Sequence, residues 1–358
     1  MTTQKTKQGE KRQNGNNYLI SALHRIGFTP IGVLFFIFVA LLPLIPPFNQ
    51  EYIRRWLVFG AYLAGQAVAF DFTAGYINVV NFGFAALLGL GAYTSAILAS
   101  DLPIILIHPD LSPWLTIWLG AIFAGLVGLG LGFLTLRLRG IFAAVMAWFV
   151  GIALMGITNN LTDLTRGAQG LQVKPLLEST SNLPYFYIVL AMSLLIYILL
   201  KLITNSRFGL AFKAIGQNIE AARASGINPT LYRVMNFAVS CFFAGLLGGF
   251  YAHYIGILTP DLMHTSKTVE ALAMAYIGGR GSLWGGMTVA FPFVFFIQNL
   301  RSNFTNLPGL HLVIYGILMI LIMIFYPSGF AGLYNMIADK VKDLFRKGED
   351  TESKALKG

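Results

Sequence analysis

The sequence contains a single cysteine, Cys241, in 358 residues, so a disulfide-stapled secreted scaffold is excluded. Charge is scarce too: Asp, Glu, Lys and Arg together make up 11%, against about 25% in an average soluble domain. A water-soluble enzyme of this size would need more charge to cover its surface. No G-x-x-x-x-G-K-[ST] is present, so the chain does not hydrolyse nucleotide through a P-loop. The run GGRGSLWGG at 278–286 lacks the flanking βαβ unit of a dinucleotide fingerprint. The five histidines show no H-E-x-x-H and no zinc spacing. No Ser/His/Asp order suggests an acyl-transfer site, and no clustered acid, base or metal set suggests a membrane-embedded enzyme.

What is present in excess is apolar: 56% of residues, 14% of the chain being aromatic, with a mean hydropathy of +0.67. That leaves a polytopic membrane protein, long enough for roughly ten spans of about 20 residues. The spans are read at 31–47, 53–71, 76–99, 113–136, 141–160, 184–203, 234–256, 267–284, 285–300 and 310–328. The basic start (Lys5, Lys7, Lys11, Arg12, Arg25) leads into an apolar run without a small-residue cleavage site, which fits an uncleaved first span better than a signal peptide. With both termini inside, all but six of the 25 basic residues (Arg54, Arg55, Arg166, Lys174, Lys267 and Arg301) fall on the inner side. The acidic residues split almost evenly, so the bias is the positive-inside pattern. The net charge of +10 then reflects topology and anionic lipid. No basic groove or aromatic-interleaved motif suggests a nucleic-acid partner. The expected fold is all-α and polytopic, with about ten transmembrane segments, some discontinuous, and both termini cytoplasmic. It divides into a basic tail at 1–30, a transmembrane domain at 31–335 and a charged tail at 336–358.

Two spans are interrupted. The stretch from Asp71 to Gly91 contains Gly75, Asn78, Asn81, Gly83, Gly89 and Gly91, and the 278–286 run breaks the second half. Such breaks survive at membrane depth only against protein or a water-filled cavity, and they point to substrate pathways. The competing reading is close helix packing, which Gly128-x-x-x-Gly132, Gly245-x-x-x-Gly249 and Gly281-x-x-x-Gly285 all suit. Cys241 reads as a small buried residue. His253 and His264 read as hydrogen-bonded structural residues, and Asp71 reads as interfacial.

The longest hydrophilic interruption is 204–233, TNSRFGLAFKAIGQNIEAARASGINPTLYR. Asn218 can cap a short helix and Glu220 sits at its positive end. Residues 219–225 are good helix formers. Gly226 suits the left-handed C′ position, and Asn228-Pro229 stops continuation. A two-turn helix with small Ala side chains and signals at both ends is what a docking element requires.

These residues carry a resemblance. Glu220-Ala221-Ala222 to Gly226 resembles the cytoplasmic E-A-A-x-x-x-G motif of bacterial ABC-importer permeases, with Asn236-Phe237-Ala238 where I-x-L-P often closes it. Within that group the chain resembles the branched-chain amino-acid permease family. The matching segments are Gly75 to Thr94, Arg137-Leu138-Arg139-Gly140 and Leu164 to Leu171, with Arg166 where Gly is common. Gly209 to Pro229, Glu270 to Gly285 and Tyr326 to Gly332 complete the set, in order. The R-L-R-G turn and the P-x-G-x-x-G end resemble the larger, M-type membrane subunit.

The resemblance implies a permease subunit that conducts branched-chain amino acids (leucine, isoleucine, valine) across a bacterial or archaeal plasma membrane. It implies no cofactor in this chain, ATP being used by partner subunits. The implied partners are a second permease subunit in a heterodimer, two cytoplasmic ATP-binding subunits and an extracytoplasmic binding protein. Asn218, Glu220, Ala221, Ala222 and Gly226 are expected to couple to the ATPases. Asn78, Asn81, Thr94, Asn159, Asn160 and Glu270 are the candidate pathway residues, each with an interhelical hydrogen bond as the alternative. Glu270 either pairs with Lys267, three residues earlier, or contacts substrate. Urea, short amides or aromatic acids are competing substrates, and an ion-coupled carrier is a competing class.

Overall fold

The computed structural model describes residues 30–46, 48–100, 111–136, 138, 140–303, 309–326, 328–334 and 336. The two terminal tails lie almost wholly outside these residues, as do Arg137, Arg139 and Pro327. The described chain is helical nearly throughout, as expected for backbone groups that must be satisfied within their own segment in lipid. The helices are α1 (Pro30–Leu41), α2 (Glu51–Ala74), α3 (Phe84–Ala99), α4 (Pro113–Thr135), α5 (Ile141–Asn160) and the single turn α6 (Thr162–Thr165). There follow α7 (Asn182–Thr204), α8 (Arg207–Gln217), α9 (Ile219–Ala224), α10 (Pro229–Ile255), α11 (Thr265–Gly278), α12 (Trp284–Asn303) and α13 (Leu310–Phe325). Among the described residues, α2, α4, α5, α7 and α10 are long and apolar enough to cross a membrane by length and composition.

The third expected span differs from the sequence reading. Residues 75–83 are not helical and α3 begins only at Phe84. Similarly, the expected span at 267–284 is α11 followed by a turn that leads into α12 at Trp284. The glycines that marked both sites set these ends.

Helix α2 is the axis of the molecule. Its most apolar stretch is 94% buried, against 28% for α5 and 39% for α7. Small residues on α2 (Ala61, Ala64, Ala67, Ala69) are fully buried, which lets neighbouring backbones approach as membrane helices require. Hydroxyl and amide side chains then bond across helices. Ser193 on α7 donates to the Ala61 carbonyl at 2.7 Å, and on α10 Ser240 and Asn236 donate to the carbonyls of Ala69 (2.7 Å) and Phe72 (3.0 Å).

The α4–α10 pair is packed through the expected small residues. A methyl group built on Gly128 would stand 2.5 Å from Cys241 Cβ, and one on Gly132 would stand 2.9 Å from Val234 Cα. From the other side, Gly245 faces Ala121 Cα at 3.1 Å and Gly249 faces Ile117 Cα at 3.1 Å. Cys241 is fully buried between them. Gly281 and Gly285 do not form a helical pair of this kind, because Gly281 lies in the turn before α12.

Contacts sort the two ends of the bundle. At one end lie α8, α9 and the 278–284 turn. At the other, Leu171 and Gln172 (β1) pair antiparallel with Leu258 and Ile257 (β2), tying two loops into a small hairpin-like clasp.

Candidate functional site

Helix α9 is only six residues long, far below the length at which an isolated helix holds in water. Its ends account for its existence. Asn218 is extended (φ −155°, ψ 112°) and its Oδ1 accepts from the backbone N–H of Glu220 at 2.9 Å and of Ala221 at 3.1 Å. At the other end Gly226 adopts φ +81°. Its N–H donates to the Arg223 carbonyl, and the Ile227 N–H donates to the Ala222 carbonyl at 3.1 Å. That is the paired closure of a Schellman end. Asn228 immediately caps α10 by accepting from Thr230 and Leu231, with Pro229 in the first turn, where no N–H is needed.

Side-chain burial gives α9 two faces. Ala222 is buried, whereas Asn218, Glu220, Ala221, Arg223, Ala224, Ser225 and Gly226 are exposed. Glu220 and Arg223 form an i,i+3 pair at 3.1 Å, both more than half exposed, so the pair adds little to stability. All five expected coupling residues therefore belong to one capped element, four of them presented outward.

Sequence reading missed the element that carries α9. Helix α8 is amphipathic. Gly209, Ala211, Phe212 and Ile215 are buried while Phe208 and Leu210 stay exposed. Phe212 meets Phe72 edge-on at 5.5 Å and Tyr232 at 5.9 Å, so α8 rests on the ends of α2 and α10. The signal was the 3.6-residue spacing of its buried side chains. Leu210 at 70% exposure and Leu231 at 54% flank α9 with an uncovered apolar rim.

Asp71 is packed inside the protein. It is 2% exposed, and its two carboxylate oxygens accept from the Gly281 N–H at 2.7 Å and the Leu283 N–H at 2.9 Å. Next to it, Arg280 donates to Asn78 Oδ1 at 3.1 Å. The two glycine-rich interruptions of the sequence are thus one junction, in which the end of α2 holds the turn between α11 and α12.

At the clasp end His253 is buried and bonded on both ring nitrogens. Nδ1 lies 2.6 Å from the Lys174 carbonyl and Nε2 lies 2.9 Å from Ser95 Oγ. His264 caps α11, its Nδ1 accepting from the Ser266 N–H. Both histidines are hydrogen-bonded structural residues. Glu51 accepts from Ser181 Oγ and the Asn182 N–H, each at 2.9 Å, fastening the start of α7 to that of α2.

The candidate pathway residues do not form one cluster. None of the six is hydrogen-bonded to another among the described residues. Asn81 is buried and closes its own turn on the Gly83 N–H. Thr94 and Asn160 each bond a carbonyl four residues back in their own helices. Asn159 is exposed. Glu270 meets Lys267 Nζ at 2.7 Å, with the two side chains 39% and 44% exposed. A cavity of about 350 Å³ lies elsewhere, between α5 and the starts of α3 and α11, lined by Phe82, Trp148, Met155, Met263, His264 and Thr265 among others.

The chain is 25% identical to the high-affinity branched-chain amino acid transport system permease protein LivM of Salmonella typhimurium, over 283 residues, 71% of this chain and 64% of the relative. The LivM protein of Escherichia coli matches to the same extent, so the chain spans under two thirds of the length of these relatives. The autoinducer 2 import system permease protein LsrC of Salmonella paratyphi B is 31% identical over 156 residues, 43% of this chain and 41% of that one. No solved structure matches. Residues 52–323 match the family described as the permease component of branched-chain amino acid transport systems; the chain belongs to that family.

Proposed function

We propose that the chain is one membrane subunit of an ATP-driven importer of branched-chain amino acids in the plasma membrane of a bacterium. It crosses the membrane about ten times, some segments being discontinuous, with the tails at 1–30 and 336–358 and the loop at 204–233 cytoplasmic. A second permease subunit completes the pore, two ATP-binding subunits power it and an extracytoplasmic binding protein loads it at the clasp end. The chain itself carries no cofactor. The observation that carries this reading is the capped, outward-facing α9 on a chain of the permease family. A solvated loop has no use for so defined a surface, whereas a partner's cleft does.

Mechanically, α9 acts as a handle. The two states of the ATPases bind it with different affinity, and that difference is all the energy it can transmit. Force applied at α9 passes through α8 and its Phe212 contacts to α2, and from α2 through Asp71 to the α11–α12 turn. Exposed polar groups (Glu270, Asn78 and Asn159) serve the solute, with Asn81, Thr94 and Asn160 shaping the helices around it.

The test is Gly226→Val. No atom crowds the position, so the cost is conformational: about 1–2 kcal/mol for a left-handed residue with a Cβ, more for a branched one. Leucine uptake by proteoliposomes containing the assembled complex should fall severalfold, with stimulation of ATP hydrolysis by the loaded binding protein lost. Unchanged uptake and unchanged stimulation would contradict the coupling role. The match to LsrC supports a second reading, in which the same machine carries another small polar solute. Ligand binding by the cognate binding protein separates the two.

A further inference from the structure

The Lys267–Glu270 pair occupies an unusual place. Both side chains retain about two fifths of their surface, yet they sit on α11, which packs against α2, whose most apolar stretch is 94% buried. Charged side chains within a membrane domain do not face lipid; they face water or protein. Around them, Tyr62 from α2 stacks on Tyr251 from α10, ring centroids 5.1 Å apart. Tyr62 is 7% exposed and its hydroxyl has no hydrogen-bond partner. Tyr62, Tyr251 and Tyr315 all lie within electrostatic reach of the Glu270 carboxylate, and Tyr251 also within reach of Lys267 and Arg55. Tyr315 is already engaged, donating to the Val269 carbonyl at 2.9 Å. One turn above Tyr62 on the same face of α2, Phe59 lies beneath the Arg55 guanidinium at 5.8 Å.

A buried hydroxyl without a partner is costly. Glu270, within electrostatic reach of Tyr62, is half of an ion pair that presents one charge of each sign 2.7 Å apart. We propose that Lys267, Glu270 and Tyr62 form a relay site for a zwitterionic amino acid. The solute's ammonium group takes Glu270, its carboxylate takes Lys267, and the Tyr62 hydroxyl donates to that carboxylate. When the site is empty the two side chains pair with each other, so neither charge is left unmatched before or after the solute passes. Arg55, at the start of α2, draws the carboxylate toward the site. This rests on the amino-acid reading above and specifies which part of the solute this chain recognises: the α-amino and α-carboxyl groups common to all such substrates.

Paired substitutions test the proposal in the complete complex in proteoliposomes with leucine as the probe. Glu270→Gln and Lys267→Met each should lower uptake roughly tenfold or more, the scale of one lost hydrogen bond to a charged group. The double variant carries the decision. A merely structural ion pair can be replaced on both sides at little cost, so recovery of wild-type uptake in the double variant would overturn the relay. The proposal expects the double variant to stay as impaired as the singles. Tyr62→Phe removes a hydroxyl that bonds nothing, so a structural role predicts no loss and the relay predicts a severalfold drop. Size-exclusion of each variant complex checks assembly, and Tyr62→Phe retains the packing in any case. A wild-type complex that takes up a neutral amide but no amino acid would defeat the amino-acid reading as well. A wild-type complex that takes up leucine, beside a fully active double variant, would defeat the relay alone.

Discussion

Asp71 and Gly226 show how much one residue can carry here. The Asp71 carboxylate is the acceptor for two backbone N–H groups in a turn that has no other way to satisfy them. Asp71→Ala should leave both buried and unbonded, at about 1–3 kcal/mol each. Thermal unfolding of the purified protein in detergent should show a clear drop in midpoint, with Asp71→Asn, which keeps one acceptor oxygen, in between. Caps such as Asn218 and Gly226 were legible in the sequence because cap chemistry is local: donor and acceptor lie within five residues. Asp71 was not legible in this way, since its partners are 210 and 212 positions away. Glu270 was legible in part. Its i,i+3 partner Lys267 could be read off the helix period, whereas the tyrosines from α2, α10 and α13 could not.

At the scale of elements, the decisive contact is α4 against α10. Without a hydrophobic drive between helices in lipid, close approach and van der Waals contact hold such a pair, and Gly128, Gly132, Gly245 and Gly249 make room for it. Gly245→Leu should therefore overpack the interface and destabilise the protein by about 1–3 kcal/mol. Gly130→Leu, on helix α4 with nothing within 4 Å, should be nearly neutral. A thermal-shift comparison of the two variants tests the interface directly, and equal midpoints would count against it. The G-x-x-x-G spacing predicted this packing, because it describes one helix face. The same spacing misread Gly281 and Gly285, because the period has no meaning across a turn. Helix α8 was missed for a related reason: two of its four buried positions are Gly209 and Ala211, which mark an apolar face only weakly. The third span was drawn eight residues too long at its start, since an apolar extended stretch and an apolar helix look alike in composition.

For the whole molecule, scarcity of charge pointed to a membrane protein, and the described residues hold five helices long and apolar enough to cross one. The helices then assemble around α2, with α8 and α9 at one end and clasped loops at the other. Asp71 joins the two glycine-rich breaks, and the Lys267–Glu270 pair lies along the axis between the ends. In the proposed reading such a body has a handle and takes its energy from partner subunits. The decisive measurement is leucine uptake by proteoliposomes holding the assembled complex with its binding protein, energised either by enclosed ATP or by a proton or sodium gradient alone. The account predicts uptake with ATP, no uptake with either gradient, and loss of the ATP-driven signal with Gly226→Val. Gradient-driven uptake in the absence of ATP would contradict it.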